Sequence, residues 1–232
     1  MNSPLISVCF LSFNRLTKLH KTIESIRNVL LKEDLIEKSE FIVLDNASQE
    51  DRNKDYISGA IKQGAIDKAF LSTINLGQGC GLKKLFEMAT GDYILFAQND
   101  WVSCVDYPFL LKAIWTLKNF PEIGIVQLKY KVRPEVVESE LMEGVHLIKD
   151  NGFGGFSYQI HLTSREVYDK WGPSEVVPDS WSFKNGHDEG SLSEYENGKK
   201  FSTIGLRAVK ILDGQFLHIG ETNESKEYGN AR

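Results

Sequence analysis

Residues 5–100 alternate between short apolar runs and amphipathic segments, and that alternation leaves few folds open. Residues 5–13 (LISVCFLSF) carry apolar side chains on both faces, the pattern of a strand buried in a parallel sheet. Leu16, Leu19, Ile23, Ile26 and Leu30 then recur at helical spacing, which predicts an amphipathic helix. Phe41 to Leu44 make a second strand, closed by the polar turn Asp45-Asn46-Ala47-Ser48. A weaker helical pattern through Tyr56, Ile57, Ala60 and Ile61 runs to Gly64. Ala69 to Ile74 reads as a third strand, followed by a glycine-rich turn from Asn75 through Gly77 and Gly79 to Gly81. Leu82, Leu85, Phe86 and Ala89 mark a short helix, and Tyr93 to Ala97 a fourth buried strand. Such strand–helix repetition implies an α/β fold, a mostly parallel central sheet flanked by helices on both faces.

The remaining chain is less regular. A helix is expected around Phe109 to Leu117 and a strand over Ile123 to Leu128. Beyond them come a glycine-rich stretch at 151–155, Trp171, Gly172-Pro173 and Trp181. At 232 residues, one domain is expected. Its first half, about 1–100, would bind a nucleotide, and its second, about 101–232, an acceptor. A chain of this length buries roughly 70–75% of its unfolded surface and needs no staples. The net charge of -5 argues against a general nucleic-acid binder, which carries a basic excess. Cys9, Cys80 and Cys104 have no CxxC spacing, which argues against a disulfide framework or a zinc knuckle. No run approaches the ~18 apolar residues of a membrane span, and the N-terminus lacks the pattern of a signal peptide. The expectation is a soluble, cytoplasmic protein, of unread oligomeric state.

In open parallel α/β sheets, ligands bind outside the carboxyl ends of the strands. Here those ends carry Asn14, Asp45-Asn46, Asn75 with Gly77, and Gln98-Asn99-Asp100. Any one polar turn after a strand is ordinary; the whole set could line one crevice. Asp100 is the sharpest member, because it follows a strongly apolar strand and precedes Trp101. Two later features are ambiguous by themselves. Asp188 and Glu189 precede a helical pattern, where acids commonly complement the helix dipole. His218 lies in a short apolar run, FLHI, where a lone histidine is a core residue or a ligand. Lys83 and Lys84 start a helix and either reach phosphate or form a solvated face. His20, His146 and His161 read as structural or surface residues.

Taken in order, these segments resemble the GT-A glycosyltransferases, especially the family-2-like group of inverting enzymes, over roughly residues 5–220. ISVCFLSFNR, with Asn14-Arg15 at its end, is similar to the family's first strand. FIVLDNASQED is similar to its second, where the resemblance sets Asp45 against the nucleotide base. NLGQGCGLKKLFEMATGDYILFAQND resembles the run from a glycine turn to the metal-binding Asp-x-Asp. Gln98 takes the first acidic position of that motif and Asp100 the last. A neutral amide is a weaker metal ligand than a carboxylate, so the resemblance gives Gln98 the nucleotide or a water. HDEGSLSEYENGKKF is similar to the acidic pair that holds the catalytic base, carried over to Glu189, with Asp188 as the competing choice. QFLHIG resembles the late strand with a metal-binding histidine, His218.

The resemblance therefore implies an inverting transfer of one sugar from a nucleoside-diphosphate sugar to a hydroxyl acceptor. A divalent ion, Mn²⁺ or Mg²⁺, would sit on Asp100 and His218, with Asn14, Asp45, Asn75, Gly77, Gln98 and Asp100 around the donor. Oxygen and imidazole donors suit those ions. The acceptor is a carbohydrate, a glycoconjugate or another hydroxyl, and the basic stretch Lys129 to Arg133 leaves a nucleic-acid acceptor open. No Gln-x-x-Arg-Trp occurs, which argues against a processive synthase. Two alternatives stand beside this reading. The first is a catalytically impaired sugar- or nucleotide-binding protein, for which Gln98 speaks. The second is a dinucleotide-dependent oxidoreductase. Gly77-x-Gly79-x-Gly81 superficially resembles its fingerprint, but follows the third strand and reads GxGxG where GxGxxG after the first is required.

Overall fold

A computed structural model of the chain describes residues 3–49, 51–129, 137–150, 152–172, 189–211 and 215–219, without the side chains of 189–193. Strand β1 (Ile6–Ser12) is buried along its whole length, as its two apolar faces require. It lies between β2 (Ser39–Asp45) and β4 (Tyr93–Gln98), parallel to both. β3 (Lys68–Leu71) adds on the far side of β2. The connecting helices are α1 (Leu16–Lys32), α2 (Asp51–Lys62) and α3 (Gly77–Met88). Along α1, Leu19, Ile23, Ile26, Val29 and Leu30 are buried against the sheet. Each such side chain, fully buried, contributes about 1.5–3 kcal/mol.

After β4 the chain forms β5 (Trp101–Ser103), α4 (Leu110–Asn119) and β6 (Ile123–Gln127). Then come β7 (Val137–Met142), β8 (Val145–Ile148), β9 (His161–Ser164), α5 (Arg165–Trp171), α6 (Glu189–Thr203), β10 (Arg207–Ile211) and β11 (Phe216–His218). The large sheet has the order β3-β2-β1-β4-β9-β6-β10-β8-β7. The β1 to β4 portion is parallel, as read from the sequence. Antiparallel β9 is inserted between β4 and β6, and β8 opposes β10 and β7. One apolar cluster, around Phe10, Ile26 and Trp101, fills one face. A second, around Phe86, Phe96, Trp171 and Phe201, fills the other.

The structure departs from the sequence reading in the glycine-rich run. Gly77, Gly79 and Gly81 belong to α3 rather than to a turn before it. The reason is packing. A Cβ on Gly81 would stand 2.7 Å from a methyl of Leu11, so glycine lets α3 lie directly on β1. The third strand is also shorter than Ala69 to Ile74, because the Ser72 hydroxyl donates to the Ile74 carbonyl at 2.6 Å and turns the chain. Trp171 is fully buried against Phe156 and Phe201; its indole N–H donates to the Asn197 carbonyl at 3.1 Å. It is a core residue. So is His161, whose burial holds its pKa down at about 4 and whose Nδ1 lies 2.7 Å from the Gln159 carbonyl oxygen. Trp181 lies outside the described residues.

Two carboxylates tie the frame together away from the strand carboxyl ends. Glu33 accepts the backbone N–H groups of Phe109, Leu110 and Leu111 at 2.8, 2.9 and 2.8 Å. It thereby satisfies the otherwise orphaned donors at the start of α4. Glu40, near the start of β2, accepts from the Ser7 hydroxyl at 2.5 Å and from the Thr90 N–H at 2.7 Å, and pairs with Lys68 at 2.7 Å. Burial alone would raise the Glu40 pKa, but Lys68, Ser7 and Thr90 together hold it below the ordinary value.

Candidate functional site

The carboxyl ends of β1, β2 and β4 are stitched to one another by side chains from their own turns. Asn14 and Arg15 both adopt left-handed backbone, φ 53° and 58°, which asparagine tolerates better than most residues. The Asn14 N–H donates to the Ser48 hydroxyl at 2.8 Å, and its Oδ1 accepts the Gln49 N–H at 3.0 Å. Its carbonyl accepts the Asn99 amide at 3.0 Å. The turns after β1, β2 and β4 thus share one network. Asp45 is fully buried. One carboxylate oxygen accepts the Ser48 N–H at 3.1 Å and the other accepts the Ser48 hydroxyl. As placed, Asp45 organises its own turn and presents no open carboxylate to the crevice.

Across the neighbouring gap, Asn46 donates to Asn75 Oδ1 at 2.8 Å and accepts the Leu76 N–H at 2.7 Å. Asn75 Oδ1 also accepts the Gly77 N–H at 2.9 Å. Gly77 has φ +71°, a conformation glycine adopts without the cost a side chain would bring. Gln98, at the end of β4 opposite Leu11, is half-buried. Lys84 pairs with Glu87 at 3.6 Å and lies over the Phe70 ring, so it serves its own helix surface.

Asp100 and His218 come together by a second, smaller sheet. β5 pairs antiparallel with β11, setting His218 opposite Trp101. The Ile219 N–H donates to the Asp100 carbonyl at 2.8 Å. His218 Nε2 lies 3.1 Å from Asp100 Oδ2, and the imidazole rests on the Trp101 ring with centroids 4.9 Å apart. Arg15 Nη1 stands 3.1 Å from the same Oδ2. The Asp100 side chain is 5% exposed, against 33% for Arg15 and 39% for His218. Its other oxygen, Oδ1, is buried without a hydrogen-bond partner among the described residues.

This donor set fits a hard divalent cation. Adjacent ligands of an octahedral ion bonded at about 2.1 Å are about 3 Å apart, which matches the Asp100–His218 spacing. The orphaned Oδ1 gives the carboxylate a second open acceptor. Among the described residues, no three His, Cys, Asp or Glu side chains converge on one point. The described residues offer two ligands, and water and phosphate oxygens can complete such a set, a common arrangement for Mg²⁺.

The model of the family described as Glycosyl transferase family 2 matches residues 7–198. The chain belongs to that family. As a family-2 glycosyltransferase domain it is not a dinucleotide-dependent oxidoreductase, and Gly81 of its glycine run serves helix packing against Leu11. No curated protein matches the chain by sequence. Among solved structures, the chain is similar to the mannosyltransferase PcManGT from Pyrobaculum calidifontis in complex with GDP-Man and Mn²⁺. The TM-score is 0.64 at 15% identity, over 96% of this chain and 59% of that one. It is similar to TarS of S. aureus, with TM-score 0.63 at 13% identity, over 96% of this chain and 38% of that one. It is also similar to GalNAc-T7 with UDP, GalNAc and Mn²⁺, with TM-score 0.61 at 13% identity, over 91% and 43%. At these identities the likeness is one of fold. The chain spans 38–59% of the length of these three neighbours.

Of the site residues named from the family-2 resemblance, the structure brings Asp100 and His218 into contact and places Asn14, Asp45, Asn75, Gly77 and Gln98 at the carboxyl ends of neighbouring strands. Glu189 begins α6, and its side chain lies outside the described set. Asp188 lies outside the described residues. The sequence reading places Asn46 and Asn99 at the strand ends and Arg15 beside Asn14, but assigns no role to these three or to Ser48. All four stand in the quoted polar turns, but their pairings across turns have no signature in the chain order. Among the described residues, no helix is long and apolar enough to cross a membrane.

Proposed function

We propose that this domain transfers a single sugar from a nucleoside-diphosphate sugar to an acceptor hydroxyl, with inversion at the anomeric carbon and with metal assistance. The observation that carries this reading is the contact of Asp100 with His218 at the carboxyl ends of the parallel strands. PcManGT and GalNAc-T7 were each solved with nucleotide and Mn²⁺, which supports the same donor chemistry here. TarS was solved with UDP and with UDP-GlcNAc, which supports a nucleotide-sugar donor. In this reading residues 1–100 form the donor half and 101–232 the acceptor half of a single domain.

Asp100 and His218 hold the divalent ion, Mn²⁺ or Mg²⁺. When bound, such an ion neutralises charge that develops on the departing diphosphate. Asn46, Asn75 and Gly77 shape the base end of the donor crevice, with Asp45 fixing the turn that carries Asn46. Asn14 joins that turn to the one bearing Asp100. Gln98 hydrogen-bonds the nucleotide or a bound water. Glu189, at the first residue of α6, accepts the acceptor's proton as its oxygen bonds to the anomeric carbon and the bond to diphosphate breaks. Asp188 is the competing base. In-line displacement in one step inverts the centre.

Gln98 favours a second reading, a nucleotide-binding protein of this fold with impaired turnover, because an amide replaces one acidic position of the metal motif. A thermal-shift screen of nucleoside diphosphates and sugar nucleotides, with and without Mn²⁺, tests the donor reading. A ligand at about 100 times its Kd stabilises the native state by about 2.7 kcal/mol. Metal-dependent stabilisation by one nucleotide is expected. No stabilisation by any of them would overturn the reading. Slow metal-dependent hydrolysis of the bound sugar nucleotide separates an enzyme from the impaired binder.

A further inference from the structure

We infer that Arg15 is the counter-ion a divalent cation must displace from Asp100, and that the displaced guanidinium then engages the donor's diphosphate, coupling the two binding events through one side chain. The inference rests on the metal reading of Asp100 and His218 given above.

Three observations lead to it. First, Arg15 Nη1 and His218 Nε2 are both 3.1 Å from one atom, Asp100 Oδ2. That oxygen already accepts a hydrogen bond from the guanidinium. A guanidinium and a divalent cation repel when held on the same oxygen, so a cation on Oδ2 weakens the hold of Arg15 there. Second, the burial is graded. The Asp100 carboxylate is 5% exposed and the Arg15 side chain 33%, so Arg15 lies on the solvent side of the pair. A buried carboxylate deprived of its counter-charge is strongly destabilising. Arg15 supplies that charge whenever metal is absent.

Third, the root of Arg15 is fixed by the backbone, and its tip is held by Asp100. Its backbone is left-handed, φ 58° and ψ 45°. Its carbonyl accepts the N–H groups of Lys18 at 2.9 Å and Leu19 at 3.1 Å, which starts α1. Release from Asp100 therefore needs only side-chain rotation. The freed group stays at the strand carboxyl ends, where the donor's phosphates meet the ion. Its planar fork of donors matches phosphate oxygens bidentately. Cation alone must then compete with Arg15, whereas cation with diphosphate gives Arg15 a new partner. Each ligand strengthens the other, as linkage requires.

The test uses the whole chain with Arg15→Met, which removes the charge, and Arg15→Lys, which keeps the charge but loses the fork. Mn²⁺ binding is followed by the paramagnetic resonance of free Mn²⁺, alone and with UDP or GDP, and nucleotide binding by calorimetry in saturating Mn²⁺. In Arg15→Met, Mn²⁺ alone should bind at least about fivefold tighter than in the native chain, and nucleotide at least about fivefold weaker, the lower end of ordinary coupling. Mn²⁺ alone should also raise the melting temperature of Arg15→Met more than that of the native chain. Arg15→Lys should leave Mn²⁺ affinity near native and still weaken nucleotide binding, which keeps the test open if Arg15→Met does not fold. Mn²⁺ binding no tighter in Arg15→Met, or nucleotide binding unweakened in Arg15→Lys, overturns the inference. Mn²⁺ affinity in the native chain that Asp100→Ala leaves unchanged overturns the metal reading itself, and this inference with it.

Discussion

His218 Nε2 lies 3.1 Å from Asp100 Oδ2, an approach made by the pairing of β5 with β11 and not by the large sheet. The contact converts two ambiguous residues into a pair with a defined chemistry. It also separates the consequences of removing each one.

Asp100→Ala should abolish metal-dependent nucleoside diphosphate binding while the chain remains folded. The carboxylate is the only acidic group of the pair, and its Oδ1 makes no competing hydrogen bond among the described residues. Calorimetry of nucleoside diphosphate with Mn²⁺ checks this. Metal-dependent affinity equal to that of the native chain would remove Asp100 from the site.

His218→Ala should weaken Mn²⁺ affinity by about 10–100-fold, the loss typical when a group supporting a metal is removed. The half-exposed imidazole, tilted against the Trp101 ring, contributes little to the core, so the melting temperature without metal should change little. A metal titration beside a melting curve distinguishes this from a purely structural histidine. A large loss of stability with an intact metal response would mark the latter.

Glu189→Gln should retain donor and metal binding and lose transfer, with kcat falling by about 10²–10⁴-fold, the scale of a positioned base. Glutamine keeps the size and removes the proton acceptor, so donor KM should hold. Asp188→Asn should lower kcat less. If the larger loss appears in Asp188→Asn, the base is Asp188.

The acid limb of stability should depend on Glu40. Its pKa is held below the ordinary 4.5 by Lys68, Ser7 and Thr90 against the opposing effect of burial. A lowered native pKa means the unfolded chain binds the proton more readily, so stability falls as the pH falls. The contribution is complete above about pH 4.5 and is lost as the pH falls through the native value. Denaturant melts of Glu40→Gln between pH 7 and pH 3 should show a less stable protein near neutrality and a shallower acid slope. A slope equal to that of the native chain would show that Glu40 does not carry this dependence.

The chain order made the first half of the fold legible because each element there is local. Leu19, Ile23, Ile26 and Leu30 mark one face of α1 by spacing alone, and the run from Leu5 to Phe13, apolar on both faces, marks a buried strand. The glycine run was misplaced because its cause is not local: Gly81 is required by Leu11, which belongs to β1. The antiparallel insertion of β9 escaped for a similar reason. Its four residues, His161 to Ser164, pair with β4 and β6, and so short a segment carries no directional signal.

The same division runs through the candidate site. Backbone periodicity and turn chemistry, both effects of near neighbours, were enough for the sequence to determine the strand ends and the kinds of side chain they carry, from Asn14 to Asp100. Tertiary structure alone decided which of these meet. The Asp45 carboxylate turns inward to Ser48, Asn14 bridges to Asn99, and Arg15 and His218 converge on one oxygen of Asp100. Contacts of that kind depend on strand pairing between distant segments and on the burial that makes an unpaired charge costly. Neither is a property of residue order within a few positions.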